Sequence, residues 1–234
     1  MLPRKCLRFL VFGAIAFATY TTAVQAAPKL KIGAEGKFDF GFTPEGLPVI
    51  HRYWAYNVGT DTLRIDRVRP SCGCTSVPLT KNRLAPGDSV GLDLKFDTKR
   101  FKGQITKTAT VETNDTTQPN ATLEFTARIG LWEGLVIANP SQVYLDTLGK
   151  TEQRVTLKNT GTGHYTISIV SPIAEFMQLE LSSTELPGKG EASISIRATP
   201  KAPLGDYNAS VTLHLEGPQP HNLSIPVYGV GYLP

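Results

Sequence analysis

The sequence predicts an all-β protein built as two tandem β-sandwiches. Three observations carry this: short runs alternating apolar and polar residues at period two, turn-forming clusters between them, and an internal repeat near one hundred residues. Of 234 residues, 41% are hydrophobic and 19% charged, which lies inside the globular range and excludes wholesale disorder. That length suffices for two cores.

The N-terminus is set apart from this pattern. Arg4, Lys5 and Arg8 precede the apolar run Phe9 to Tyr20, and small residues close the segment at Val24-Gln25-Ala26. This layout predicts a secretory signal peptide over residues 1–26, cut after Ala26, with an apolar run too short to span a bilayer. The expected location is therefore periplasmic or secreted, and the mature chain is not expected to cross a membrane. The segment holds three basic and no acidic residues, so its removal takes the formal net charge from +4 to +1. A nearly neutral mature chain offers nothing to nucleic acid, and none is expected as a partner.

Strands follow in order. Arg52–Tyr56, Leu63–Asp66, Val90–Phe96 and Thr122–Thr126 alternate at period two, and the pattern resumes at Arg154–Leu157, Thr166–Ile169, Ser193–Ile196 and Ser210–Leu215. Between them lie turn clusters such as Ala85-Pro86-Gly87-Asp88 and Leu186-Pro187-Gly188. No long stretch carries a 3.6-residue period. Asn57-Val58-Gly59-Thr60 recurs as Asn159-Thr160-Gly161-Thr162, an offset of 102 (159 − 57), and Gly103 recurs as Gly205 at the same offset. The Pro-Gly turns at Pro86-Gly87 and Pro187-Gly188 correspond with one residue of slippage. A period of this size fits an immunoglobulin-like sandwich and exceeds a solenoid repeat. The boundary is expected near Gly130–Gly134, giving domains over about 28–131 and 132–234. Each Asn-x-Gly step reads as a hairpin turn in which glycine takes a positive φ.

An ordered series of motifs then points to a family. Phe38-Asp39-Phe40-Gly41, Val49-Ile50-His51 leading into Asn57-x-Gly59, and Leu63-x-Ile65 are followed by Ser71-Cys72-Gly73-Cys74-Thr75 and Leu84-Ala85-Pro86-Gly87. Phe96-Asp97, Gly103 and Val111-Glu112-Thr113-Asn114-Asp115 complete the series. Over about residues 36–130 the chain resembles the exported bacterial family known as domain of unknown function 1573. That family's wider relatives are the immunoglobulin-like domains of the major sperm protein, PapD-like and cilium-associated groups. The resemblance implies a fold and an exported location, and it supplies no substrate. The second domain resembles the same sandwich class but lacks the C-G-C.

Export leaves Cys72 and Cys74 as the cysteines of the mature chain, too few for a disulfide framework. Four readings of Cys72-Gly73-Cys74 stay open. The first is packing of the thiols as small hydrophobes. The second is a local disulfide, which needs a kink at Gly73 because extended residues two apart sit near the bridging limit of about 7 Å. The third is soft-metal ligation, with Cu(I) the metal that two thiolates suit; a closed zinc site would need two more ligands, and His51 is a candidate that only the fold can bring near. The last is exchange with other thiols, a chemistry that Arg67 and Arg69 would favour by stabilising a thiolate.

Enzymatic chemistry finds little support. His51, His164, His214 and His221 are scattered singly, and neither G-x-S-x-G nor H-E-x-x-H occurs. No catalytic residue and no cofactor is expected. Tyr53, Trp54, Tyr56 and Trp132 are the aromatic residues suited to anchoring a protein partner, with Trp54 and Trp132 the leading candidates. On a strand, Tyr53 and Trp54 must face opposite ways, and a Trp packed in the core is the competing reading. The resulting expectation is an exported, non-enzymatic binding or assembly protein of the bacterial envelope. A copper or thiol-redox protein acting through Cys72 and Cys74, and a PapD-like periplasmic chaperone, are the alternatives.

Overall fold

The computed structural model describes residues 26–130, 135–146, 148–149, 151–170 and 173–232. Trp132, most of the expected boundary segment and all of the expected signal peptide but Ala26 lie outside the described residues. The fold class is as predicted, with strands throughout both halves of the chain. The first unit comprises β1 (Leu30–Ile32), β2 (Lys37–Thr43), β3 (Val49–Asn57), β4 (Leu63–Pro70), β5 (Thr75–Ser76), β6 (Arg83–Leu84), β7 (Ser89–Phe96), β8 (Gly103–Thr113) and β9 (Asn120–Ile129). The second comprises β10 (Val136–Asn139), β11 (Val143–Asp146), β12 (Glu152–Asn159), β13 (Tyr165–Val170), β14 (Met177–Leu181), β15 (Glu185–Leu186), β16 (Glu191–Ala198), β17 (Gly205–Glu216) and β18 (His221–Gly231).

Pairing repeats strand for strand. One sheet of the first unit runs β1-β3-β7-β5, and its counterpart in the second runs β10-β12-β16-β14. The opposing sheets join into one ten-stranded sheet, β15-β13-β17-β18-β2-β9-β8-β4-β6, with β11 parallel to β18. In each unit the leading strand pairs antiparallel in one sheet (β1 on β3, β10 on β12), and the next crosses over to lie parallel to the last strand (β2 on β9, β11 on β18).

Alternation becomes burial. Along β7, Val90, Leu92, Leu94 and Phe96 point inward while Gly91, Asp93 and Lys95 point outward. β16 repeats this with Ala192, Ile194, Ile196 and Ala198. Each unit has its own cluster, one drawn from Leu30 to Ile129 and the other from Val136 to Val227. Burying each Leu, Ile, Val or Phe contributes about 1.5–3 kcal/mol, which offsets the ordering cost of the strands.

The repeated Asn-x-Gly does a different job from the one its sequence suggests. Asn57 and Asn159 are buried at the ends of β3 and β12. Asn57 Nδ2 donates to the carbonyls of Asp61 (2.8 Å) and Leu84 (3.0 Å), and its Oδ1 accepts from the Gly59 amide (3.0 Å). Asn159 repeats the set, donating to Gly163 and Pro187 and accepting from Gly161. The glycines are not in the left-handed region. Gly59 is required by close approach instead, since a Cβ there would sit 2.3 Å from the Ala27 carbonyl. The slippage between the Pro-Gly turns also has a backbone reason: the left-handed residue is Gly87 in the first unit and Lys189 in the second, again 102 apart (189 − 87).

The units meet along β2. Gly41 (φ +64°) packs backbone to backbone against Asn222, where a Cβ would fall 1.8 Å from the Asn222 carbonyl oxygen. Asn222 Nδ2 donates to Asp39 O (2.6 Å), and Ser224 Oγ donates to Phe40 O (2.7 Å). Phe42 is buried at this seam, with the His221 ring edge-on and the Arg128 guanidinium over its face. A second tie lies on the other sheet, where Ser210 Oγ accepts from the Ile50 amide (2.9 Å) and donates to the Ile50 carbonyl (2.7 Å).

Two outcomes follow for stability. Asn57→Ala and Asn159→Ala should each cost about 2–3 kcal/mol in urea unfolding, because each strands several backbone groups without partners. Gly41→Ala should prise the units apart at the seam while sparing each core, raising the maximum dimension in small-angle scattering and the overall rate of limited proteolysis; unchanged scattering and cleavage would refute the role given to Gly41.

Candidate functional site

Cys72 and Cys74 are joined as a disulfide with their α-carbons 5.3 Å apart, inside the range a bridge requires. The chain reaches this spacing by bending over Ser71–Cys74 directly after β4, and the Thr75 amide donates back to the Cys72 carbonyl (3.3 Å). Both cysteines are partly exposed, and Cys74 packs on the first unit's core. The Thr75 hydroxyl lies 3.6 Å from Cys72 Sγ and 3.8 Å from Cys74 Sγ. Arg67 and Arg69 are not the thiolate partners the sequence suggested: both are engaged by Glu112, at 2.7 and 2.8 Å. As candidate soft-metal ligands the sulfurs are here bonded to each other, and among the described residues no group of three or more His, Cys, Asp or Glu side chains is placed to hold a metal ion.

His51 does not approach the cysteines. Its ring stacks on Phe38 (centroids 3.5 Å apart, planes within 11°) and meets Tyr53 and Phe40 edge-on. Burial lowers its pKa to about 4, with the Asp93 carboxylate opposing the shift only in part. The other histidines pair locally, His164 with Glu185, His214 with Asn222 and Glu216, and His221 with the Gln219 carbonyl. They form no shared site.

A cleft of about 390 Å³ opens between the units. The first unit supplies Ile50, Arg52, Ser76, Pro78, Asp93 and Lys95 from the outer face of its β3-β7-β5 sheet; the second supplies residues 173–176 and 208–210. Arg52 is clamped by Asp93 through two hydrogen bonds of 2.6 and 2.8 Å and reaches toward Glu175 of the other unit at 3.9 Å. Lys95 has no carboxylate partner among the described residues. Pairing of Trp54 with Gly91 across β3 and β7 leaves room beside the strand, which the Arg52 side chain fills, so that its guanidinium stands 5.9 Å from the Trp54 ring. Tyr53 faces the core at 2% exposure, its hydroxyl donating to the Glu124 carbonyl (2.7 Å), while Trp54 (36%) and Tyr56 (37%) face solvent. Tyr56, Trp54, Arg52 and Ile50 therefore form one outward row running along β3 into the cleft.

Sequence reasoning missed Glu175 and Ser210 because nothing local marks them; they reach the site only when the second unit docks. It also left Asp115 unassigned within Val111–Asp115. The buried Asp115 carboxylate accepts from the Leu30 amide (2.8 Å) and from the amide and hydroxyl of Thr117 (2.8 and 2.7 Å). Burial opposes its charge, but these hydrogen bonds together with the Gln118 amide outweigh burial and hold its pKa below the usual range. Its task is to anchor β1.

Residues 32–129 match the family model described as "Protein of unknown function (DUF1573)". The first unit matches this family over nearly its whole length. The C-G-C turn, the Asn57 hub and the Asp115 anchor all lie within the matched residues. No curated protein matches the sequence. Among solved structures, the chain is similar to a protein of unknown function from Porphyromonas gingivalis W83, at 15% identity over 86% of this chain and 99% of that one, with a TM-score of 0.35. It is similar also to the ASH/PapD-like domain 7 of human CEP192 (12%, 54% and 97%, TM-score 0.38) and to the periplasmic chaperone SfaE (14%, 87% and 100%, TM-score 0.32). At these scores the similarity carries no functional argument.

The His51 environment sets a pH dependence. Its folded pKa lies below the ordinary 6.5, so the unfolded chain binds the proton first and stability falls as pH drops from about 6.5 to about 4. For this partly exposed ring the loss should be about 2 kcal/mol. Urea unfolding at pH 7 and pH 4 should show this loss, and His51→Leu should remove that share of it.

Proposed function

We propose that the protein is an exported, non-enzymatic binding protein of the bacterial envelope that holds a protein partner along the β3 face and in the cleft between its units. The observation that carries this is the row of Tyr56, Trp54, Arg52 and Ile50, which leads from two exposed aromatic rings into a cleft walled by both units. Aromatic side chains with large exposed area beside an arginine are the composition of interface anchors. The cleft adds a mixed floor, apolar at Ile50, Pro78 and Phe176 and charged at Arg52, Asp93, Lys95 and Glu175, which suits a polypeptide better than a purely apolar or purely anionic ligand. Trp132, the second anchor suggested by the sequence, lies outside the described residues. Export and envelope location rest on the signal-like N-terminus and on the resemblance.

A photo-crosslinker at Tyr56 in the mature protein should capture a defined envelope protein. Trp54→Ala should weaken binding of that protein by about 2 kcal/mol, roughly thirtyfold, without changing the thermal midpoint. Equal affinity for wild type and Trp54→Ala, or turnover of a substrate by the purified protein, would overturn the reading.

A further inference from the structure

The Cys72–Cys74 bridge does little for the fold. It spans one intervening residue, so closing it removes little freedom from the unfolded chain. The turn is already tied by other bonds: Ser71 N to Thr108 O (2.9 Å), Asp97 N to Cys74 O (2.9 Å), and the pairing of Thr75 and Ser76 with Phe96 and Lys95. The second unit builds the same sandwich with no cysteine at all.

Its surroundings suit exchange instead. The face of the ring at Gly73 is open, since a Cβ there would meet no atom within 4 Å. The two sulfurs are unequal: Cys74 belongs to the residues packed on the first core, and Cys72 does not. The Thr75 hydroxyl, on a buried side chain, lies within reach of both sulfurs and can donate to whichever becomes a thiolate.

We propose that Cys72–Cys74 is a site of reversible thiol–disulfide exchange with a dithiol protein, with Thr75 as its positioning residue. In the reducing direction a partner thiolate attacks Cys72 Sγ, the Cys72–Cys74 bond breaks, and Cys74 Sγ leaves as a thiolate held by the Thr75 hydroxyl until it takes a proton from water. The partner's second thiolate then attacks its own sulfur in the mixed disulfide and releases Cys72. The partner ends as a disulfide and this chain as a dithiol, two electrons having passed; oxidation is the reverse. The turn adjoins the cleft through Ser76, but exchange at the bridge needs nothing bound there.

The test uses the mature protein in graded dithiothreitol, with trapping by alkylation and intact mass. Two alkyl groups should add while the circular dichroism spectrum stays native, and Cys72→Ser/Cys74→Ser should melt within a few degrees of wild type. With an aromatic disulfide as probe, Cys74→Ser, which leaves Cys72, should react several-fold faster than Cys72→Ser. Thr75→Val should slow reduction about fivefold and raise the pH at which the freed thiol reacts, and Thr75→Ser should restore both. A bridge that opens only when the fold melts, or a double variant that melts ten degrees or more lower, would make the bridge a staple and overturn the proposal. Unchanged kinetics in Thr75→Val would overturn the part given to Thr75.

Discussion

One strand serves two sandwiches, and the architecture depends on it. β2 lies parallel to β9 in its own unit, while its carbonyls at Asp39 and Phe40 accept from Asn222 and Ser224 of the other. The Phe40 carbonyl, buried at the seam, must find a donor, because leaving that bond unmade costs on the order of 1–3 kcal/mol. Gly41 lets the two backbones come close enough for those donors to reach. The ten-stranded sheet, the docking of Ser210 on Ile50 and the cleft beside them all follow from that approach.

The same rule governs the ends of the sandwiches. Turns leave backbone groups that no neighbouring strand can pair, and each unit satisfies them with one buried asparagine, Asn57 or Asn159. Asp115 does the equivalent at β1, where hydrogen bonds outweigh the cost of burying a carboxylate. Asn57 and Asp115 belong to the motif series that carries the resemblance and lie within the residues matched to the family, so part of that signature records how loops are held. The C-G-C turn is the exception. It ties nothing that other bonds do not already tie, and it leads directly into β5, whose Ser76 forms one wall of the cleft.

Period-two alternation, turn clusters and the 102-residue repeat were enough to read two sandwiches, because side chains on a half-buried strand must alternate and turns need their own residue types. The family was legible from an ordered series of motifs within one unit. Less was legible at the sites. Adjacency placed Tyr53 and Trp54 on opposite faces, and the expectation of a core Trp failed: Tyr53 fills the core, while Trp54 stands outside, opposite Gly91 on β7. Two cysteines around one glycine left packing, bridging, metal binding and exchange open, since all four need the same residues and differ only in backbone angle and surroundings. The expected pairing of a thiolate with Arg67 and Arg69 failed because Glu112 stands across from them on β8, forty-five residues from Arg67 in sequence.

By itself, then, the sequence determined the class of fold, its duplication and the family that its first half resembles, all of which follow from local chemistry repeated along the chain. Tertiary structure decided what is presented outward: the Trp54 face, the cleft that needs Glu175 and Ser210 from the second unit, and the bend that brings two sulfurs together. Those features arise from residues up to 160 positions apart. For the cleft no local pattern encodes such a meeting, because it is the docking of the second unit along β2, not any propensity of the residues concerned, that brings them into contact.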